Sequence, residues 1–510
     1  MFKNDKELIH DARADVYRSV RTVCSMCKLI SKEEFSTQYG IVDWEEKAKL
    51  LGLDISEQNS FATCPVFCNT ASDEIHTCAL CFALLILSKG IEITTTDTYE
   101  AKQFIKCLTN TIALTAICNE DEQGHTYVYW PTTISTMRVV ESGTCNQTTV
   151  ALSTLLRIGF LEKKDNVSEQ VLTERYRLAV NALSWLICLQ KGEDESAWAY
   201  GEACTDCTVA RLPISYSVLS SHFCYETIKK YISYFNSPDG SNEMAARIQP
   251  NIIDRMHSSC DKFEKWVERK LDGIGGISKT NLHKTPSVLH TCLSQIIFFF
   301  DNYNLNTDRL NEAIEYVAKS IKGLSFNSED LLESYQYRYR TNDGTTGYKS
   351  DTYEIVPEYV YINYSTRLLK SFYARYLSKK QVKKLKEANY IAYRNLFRKK
   401  SIISCNGTDD CLVLQGVQSG EERRYPIYAL YDLQVCLLEL LSTSERNQKI
   451  SIIRKPVNRV LFLSIGISIL GLIVVFISLA IDSKNTITGI LMTVLGALVK
   501  PITSFIKSDK

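Results

Sequence analysis

The stretch Ala182–Ser221, ALSWLICLQKGEDESAWAYGEACTDCTVARLPISYSVLSS, decides how this chain folds. It leaves an apolar helical run at Gln190, passes Gly192 and a polar turn holding Trp198 and Tyr200, and enters a second apolar run after Pro213. Upstream, Leu178, Ala182, Leu183, Leu186 and Ile187 recur at the helical period, so residues 173–190 read as an amphipathic helix. Thr173 followed by Glu174 reads as its N-terminal cap and Gly192 as its stop. Pro213 suits the first turn of the next helix, where a missing N–H goes unneeded.

The same grammar recurs outward from this stretch. Pro286, Pro357 and Pro426 follow Pro213 at spacings of 73, 71 and 69, each opening an apolar run: PSVLHTCLSQIIFFF, PEYVYINYSTRLLKSF and PIYALYDLQVCLLELL. Two equal steps backwards meet TCNQTTVALSTLLRIGF and DEIHTCALCFALLIL. Partner helices read near 8–30, 101–118, 249–271, 309–322 and 383–400. Aromatic turns recur at Tyr129–Trp130, at Trp198 and Tyr200, and at Tyr348 after Asp343-Gly344. The first helix of each unit is apolar almost all round and is expected to be buried on both sides. The second is amphipathic and is expected to face solvent. Six inner and six outer helices predict an all-α fold over residues 1–445, a six-repeat (α/α)6 toroid of units of about 70 residues with short hairpin turns. An open helical solenoid is the rival arrangement.

Gln190, Gly192 and Trp198 are the residues through which this unit resembles the prenyltransferase and terpene-cyclase toroids. There an outer helix ends in Gln, and a Gly and a Trp precede a hairpin and the inner helix. The resemblance implies the fold over roughly 1–445; its motif is specific in one unit. The family's catalytic motifs are absent. No Asp-x-Asp-Asp acid occurs, the nearest string being Asp409-Asp410 in a polar turn, and no Asp-Asp-x-x-Asp magnesium site occurs. Asp206-Cys207 lacks the spacing of the zinc-binding pair of protein prenyltransferases.

Val460–Ile481 is 22 residues without a charge, and about 20 apolar residues span a bilayer as a helix. A basic linker over 446–459, with Lys449, Arg454, Lys455 and Arg459, precedes it. Residues 482–510 hold a second apolar stretch, 487–505, that reads as either a span or a re-entrant helix. Positive residues flank both ends, and no signal peptide is visible at the N-terminus. The expectation is a chain anchored in the membrane, a bacterial inner membrane, with its bulk cytoplasmic. Its 18 cysteines are then expected to be reduced rather than disulfide-bonded.

Lys plus Arg is 59 and Asp plus Glu 58, for a net charge of +1, which argues against a general nucleic-acid binder. Cys64, Cys68, Cys78 and Cys81, with His76 adjacent, have thiolate spacings that suit a structural zinc; buried free cysteines are the alternative. Arg211, Tyr216, His283, His290, Glu354, Glu358, Arg423 and Arg424 stand near the ends of inner helices, where a toroid opens, and form the candidate ligand-binding mouth. No nucleophile elbow, phosphate loop or dinucleotide fingerprint appears. The leading functional expectation is a ligand- or protein-binding sensor on a membrane anchor, laid out like bacterial antiphage-defence membrane effectors and acting by homo-oligomerisation, and not an enzyme. The alternatives are an enzyme on an apolar isoprenoid-like substrate and a membrane scaffold.

Overall fold

The computed structural model describes most of residues 3–198 and 218–270, the strand pairs within 277–287, 332–354 and 402–414, and parts of 378–388 and 427–441. Helix α1 (Lys3–Met26) leads through strand β1 (Lys28–Ile30) to the short helices α2 (Lys32–Thr37) and α3 (Trp44–Leu50) and to strand β2 (Phe61–Thr63). Strand β3 (Glu74–His76) runs into α4 (Thr77–Ile93), and α5 (Tyr99–Leu114) follows. Strands β4 (Ile117–Glu120), β5 (Thr126–Tyr129), β6 (Thr133–Ser135) and β7 (Arg138–Val139) separate α5 from α6 (Cys145–Arg157). Then come α7 (Glu169–Cys188), α8 (Val218–Phe235), α9 (Asn242–Ile248) and α10 (Ile252–Lys270). Short strands β8 (Ile277–Ser278) and β9 (Pro286–Ser287), the long pair β10 (Leu332–Arg340) and β11 (Thr346–Glu354), and β12 (Ile402–Ser404) with β13 (Leu412–Leu414) complete the order.

Outer helices alternate with inner ones. The inner helices α4, α6 and α8 pack in series, α4 on α6 and α6 on α8. Around them, α1 and α5 lie against α4, α7 against α6, and α10 against α8. α4 is apolar on nearly every side, with Leu80, Ala83, Leu84, Ile86 and Leu87 at 0% exposure, as a helix enclosed by neighbours must be. Inner helical residues between 427 and 438 lie beside α4, the first inner helix. Gln434 Nε2 donates to Ser19 Oγ at 3.0 Å and to the Ile86 carbonyl at 2.9 Å. Tyr428 and Tyr431 bring their rings within 6.2 and 5.3 Å of Phe82. An inner helix late in the chain thus seats against the first one, and the alternation closes on itself as in an α/α toroid.

Two joints repeat in atomic detail. Trp130 and Trp198, both 0% exposed, sit between an outer helix and the next inner one. The Trp130 indole donates to the Ile112 carbonyl of α5 at 2.7 Å, and its backbone N–H donates to Thr148 Oγ1 of α6 at 3.1 Å. The Trp198 indole donates to the Leu186 carbonyl of α7 at 2.8 Å, and its backbone N–H donates to Ser221 Oγ of α8 at 2.9 Å. Each ring fills volume while satisfying a carbonyl near a helix end, where such groups lack intrahelical partners. Gln190 ties the second joint to α10: its amide donates to the Ser196 and Ser259 carbonyls and accepts from Ser259 Oγ.

Several local expectations are corrected. α7 begins at Glu169, and Ser168 rather than Thr173 is its cap, its hydroxyl accepting from Val171 N. Serine also caps α2 and α9; its short side chain reaches back to an orphan N–H. α7 is buried over most of its surface rather than solvent-facing, because α3, α9, α10 and β5 all cover it. The Arg175 guanidinium is buried there and donates to the Leu51, Gly52 and Phe160 carbonyls at 2.8, 3.3 and 2.9 Å. It thereby closes the end of α3, where Gly52 takes a φ of +60 and a Cβ would meet Val171 at 2.7 Å. Pro286 does not start a helix: it opens β9, paired with Ser278 of β8. Proline is tolerated as the first residue of a strand because it need not donate there. Pro213 lies outside the described residues, and α8 begins five residues later at Val218. Pro357 and Pro426 also lie outside them.

The fold is mostly helical rather than purely so, because the connections themselves pair into antiparallel hairpins. β10 and β11 run in register from Leu332↔Glu354 to Arg340↔Thr346. Tyr335, Tyr337 and Tyr339 alternate in LESYQYRYR with the strand period of two, in the region read from sequence as an aromatic turn. No described helix is long and apolar enough to cross a membrane. The segments 460–481 and 487–505 lie outside the described residues.

Candidate functional site

Each described inner helix keeps one half-exposed stripe on an otherwise buried surface. On α4 it runs through Cys78 and Phe82, and on α6 through Asn146, Val150 and Ser153 to the exposed Arg157. On α8 it runs through Phe223, Glu226 and Lys230, and in the closing segment through Tyr428 and Val435. The stripes of α4 and α6 meet at the closing segment. Arg157 Nη1 of α6 donates to the Tyr431 hydroxyl of the closing segment at 2.5 Å, while the Tyr431 ring packs on Phe82 of α4.

The densest chemistry lies on α8. His222, Glu226 and Lys230 follow one another at four-residue intervals, so they stack along one face. Glu226 Oε2 lies 3.3 Å from His222 Nε2, and Glu226 Oε1 accepts from Lys230 Nζ at 2.5 Å. The imidazole is 1% exposed at its side chain, Glu226 17% and Lys230 32%. The carboxylate is therefore the deepest group of the three that still reaches the open stripe. Next to it on α8, Tyr225 and Lys229 engage Glu264 of α10, the hydroxyl donating at 2.5 Å and the ammonium lying at 3.0 Å. That second set joins an inner helix to an outer one.

A second polar cluster holds the start of α4. His76 Nε2 lies 3.0 Å from Glu74 Oε2, and His76 Nδ1 lies 2.9 Å from Thr133 Oγ1. Both ring nitrogens are engaged across the β3–β6 pair, which fixes the entry into α4. Of the four cysteines expected to hold a zinc, Cys64, Cys78 and Cys81 are described. Among the described residues no three His, Cys, Asp or Glu side chains converge on one point. Cys64 is fully buried and turns its thiol to the Pro65 carbonyl. Burial pushes the Cys78 thiol up to about 12 and the Cys81 thiol well above its usual value, so both favour the neutral thiol over the ligating thiolate. Cys68 lies outside the described residues, and His76 is held by Glu74 and Thr133.

Of the predicted mouth, Glu354 ends β11 opposite Leu332. Arg211, Tyr216, His283, His290, Glu358, Arg423 and Arg424 lie outside the described residues. The two sets that the structure brings together, His222 with Glu226 and Lys230, and Arg157 with Tyr431, were not singled out from sequence. The His–Glu–Lys spacing within HFCYETIKK is visible there, but it equally describes a solvated helix face. Burial of His222 separates the two readings.

No protein-family model matches the chain, and no curated protein does. Solved structures of the same general architecture do. A D-mannose isomerase matches at 12% identity and a TM-score of 0.42, over 81% of this chain and 100% of its own. A cellobiose 2-epimerase from Bacillus thermoamylovorans matches at 13% and 0.44, over 81% and 98%. A GH76 α-mannanase from Bacteroides thetaiotaomicron matches at 11% and 0.40, over 81% and 99%. Likenesses this distant transfer no activity. The resemblance to prenyltransferases and terpene cyclases is corrected to the α/α toroid alone, since the solved structures this chain is similar to are titled as a mannose isomerase, a cellobiose epimerase and a mannanase. The tryptophan joints at Trp130 and Trp198 satisfy helix ends, so they report the architecture and no chemistry. The expectations of a non-enzymatic sensor, of an antiphage-defence effector and of isoprenoid catalysis are corrected likewise: the titles of these structures name none of them.

Proposed function

We propose that this chain is an enzyme that acts on a carbohydrate inside a ring of six α/α units, with Glu226 as its acid–base group. The observation that carries the reading is the Glu226 carboxylate on the inner stripe of α8, held between the buried His222 and Lys230. A carboxyl group in that setting suits proton transfer to and from a hydroxylated substrate. Lys230 is a positioning residue that directs the carboxyl through its ion pair, and His222 packs beside it.

The character of the stripes supports a sugar over a hydrocarbon. Asn146, Ser153, Arg157, Glu226, Lys230 and Tyr428 all offer hydrogen-bonding groups. A terpene lodged among them would strip water from these groups without replacing its bonds, at about 1–3 kcal/mol for each. A polyol replaces those bonds. The sugar-directed titles of the matching toroids agree with this reading, which rests on the residues of this chain.

The stretch 460–481 is read as a membrane anchor. At about 1.5 Å per residue its 22 residues reach roughly 33 Å, enough for the bilayer core. The ring is then held at the membrane on the cytoplasmic side.

The test is turnover by the purified full-length chain. Aldoses, ketoses and oligosaccharides are incubated in deuterated water and followed by NMR for new sugars and for deuterium incorporation. Glu226→Gln is expected to lower turnover by about 10²- to 10⁴-fold while thermal stability stays close to that of the parent. Undiminished turnover in that variant would falsify the assignment of Glu226.

A further inference from the structure

Arg157 ends α6 on the open stripe and is exposed. Its guanidinium carries five N–H donors. One of them meets the Tyr431 hydroxyl at 2.5 Å, and no carboxylate pairs with the guanidinium among the described residues. Tyr431 belongs to the closing segment, and the Phe82 ring of α4 packs on it at 5.3 Å. Arg157 of α6, Phe82 of α4 and Tyr431 thus come together at one place. A hydroxyl that accepts from arginine keeps its own proton for donation. The exposed guanidinium thus carries its remaining donors and one full positive charge on the stripe, beside the buried Tyr431. A single hydrogen bond from an exposed arginine to a tyrosine uses one of its five donors and leaves the charge without a counter-ion among the described residues.

We infer that Arg157 and Tyr431 form an oxyanion-binding subsite on the inner face of the ring, which takes a carboxylate or phosphate group carried by the ligand. The planar guanidinium fork matches both groups through paired N–H donors, and the Tyr431 hydroxyl supplies a further donor. This deepens the carbohydrate reading and rests on it for the identity of the ligand: the substrate is an acidic sugar, either a sugar acid or a sugar phosphate.

The experiment measures binding rather than turnover, on the purified full-length chain, by calorimetry at low and moderate salt. The probes are D-glucuronate, glucose 6-phosphate, inorganic phosphate and neutral D-glucose. The wild type is expected to bind at least one anionic probe more tightly than glucose, with affinity falling as salt rises. Arg157→Gln is expected to weaken that binding by about 10- to 100-fold, the loss of one charged hydrogen-bonding group. Tyr431→Phe is expected to weaken it by several-fold and serves if the arginine variant fails to fold. Tighter binding of glucuronate assigns the carboxylate, and tighter binding of the phosphate probes assigns the phosphate. Two results overturn the subsite: equal affinity of glucose and every anion, or unchanged anion affinity in a folded Arg157→Gln or Tyr431→Phe chain. Anion binding that survives while Glu226-dependent turnover is never found sinks the enzyme reading alone.

Discussion

The tryptophan joints and the stripe of α8 share the same helices and follow opposite rules. At Trp130 and Trp198 every polar atom described is matched: indole to carbonyl, backbone N–H to hydroxyl. The pattern recurs from one unit to the next with Thr148 replaced by Ser221. On the open stripes, equivalent positions carry different chemistry: Phe82 on α4, Ser153 and Arg157 on α6, Glu226 and Lys230 on α8. Joints solve a problem that every unit of a ring has, the unsatisfied ends of its helices. The stripes solve no shared problem, so their side chains are free to differ, and charge left on them marks function more than stability.

The sharpest way to break this contrast is to truncate both regions. Trp198→Ala removes a fully buried ring and leaves the Leu186 carbonyl and a cavity behind, and a loss of about 3–5 kcal/mol in chemical denaturation is expected. Trp130→Ala should cost about as much, since its surroundings repeat. Glu226→Gln should cost far less than either. Stability losses of equal size at Trp198 and Glu226 would remove the distinction between joint and stripe.

Ring closure provides an intermediate effect. Gln434→Ala leaves Ser19 and the Ile86 carbonyl without their partner in a buried setting, and about 1–3 kcal/mol should be lost. Limited proteolysis should then cut near the closing segment before it cuts at the Trp198 joint. Cleavage in the reverse order would place the weak point of the ring at its repeats.

Thiol chemistry separates the interior from the surface without any mutation. Cys118 is exposed, whereas Cys78 has its thiol pushed up to about 12 by burial. Alkylation at pH 8, mapped by mass spectrometry, should modify Cys118 well before Cys78. Rapid modification of Cys78 in the folded chain would contradict its seat at the start of α4.

The smallest effect lies at the periphery. Hydrogen bonds from Lys106 and then Ser56 hold the Asp54 carboxyl down at about 2, below its usual 3.8. Its folded-state value is depressed, so its contribution is present above about pH 4 and fades as pH falls towards 2. Asp54→Asn should flatten that acid limb of the melting temperature and change little at neutral pH, as befits an exposed pair. An unchanged acid limb would show that the ion pair with Lys106 is absent in solution.

The joints were largely legible in the sequence, because a helical period, a turn and a buried tryptophan are local facts. The outer helix before Trp198, the inner helix after it and the repeat of both follow from spacing in Ala182–Ser221. Proline was a poorer guide, since its fixed φ suits the start of a strand as well as of a helix, as Pro286 shows. The mouth residues chosen from sequence were picked by closeness to helix starts, a criterion that says nothing about which way a side chain turns. His222 and Glu226 could be seen at four-residue spacing, yet only burial distinguishes a positioned pair from a solvated one.

The sequence by itself determined the helices, their pairing into units and the apolar stretch at 460–481, since each depends on residues within a few turns of one another. Only the tertiary structure decided that Gln434 meets Ser19 across 415 positions, and that Arg157 reaches Tyr431. Those contacts depend on how the rotations between successive helices add up, and no local spacing encodes that sum.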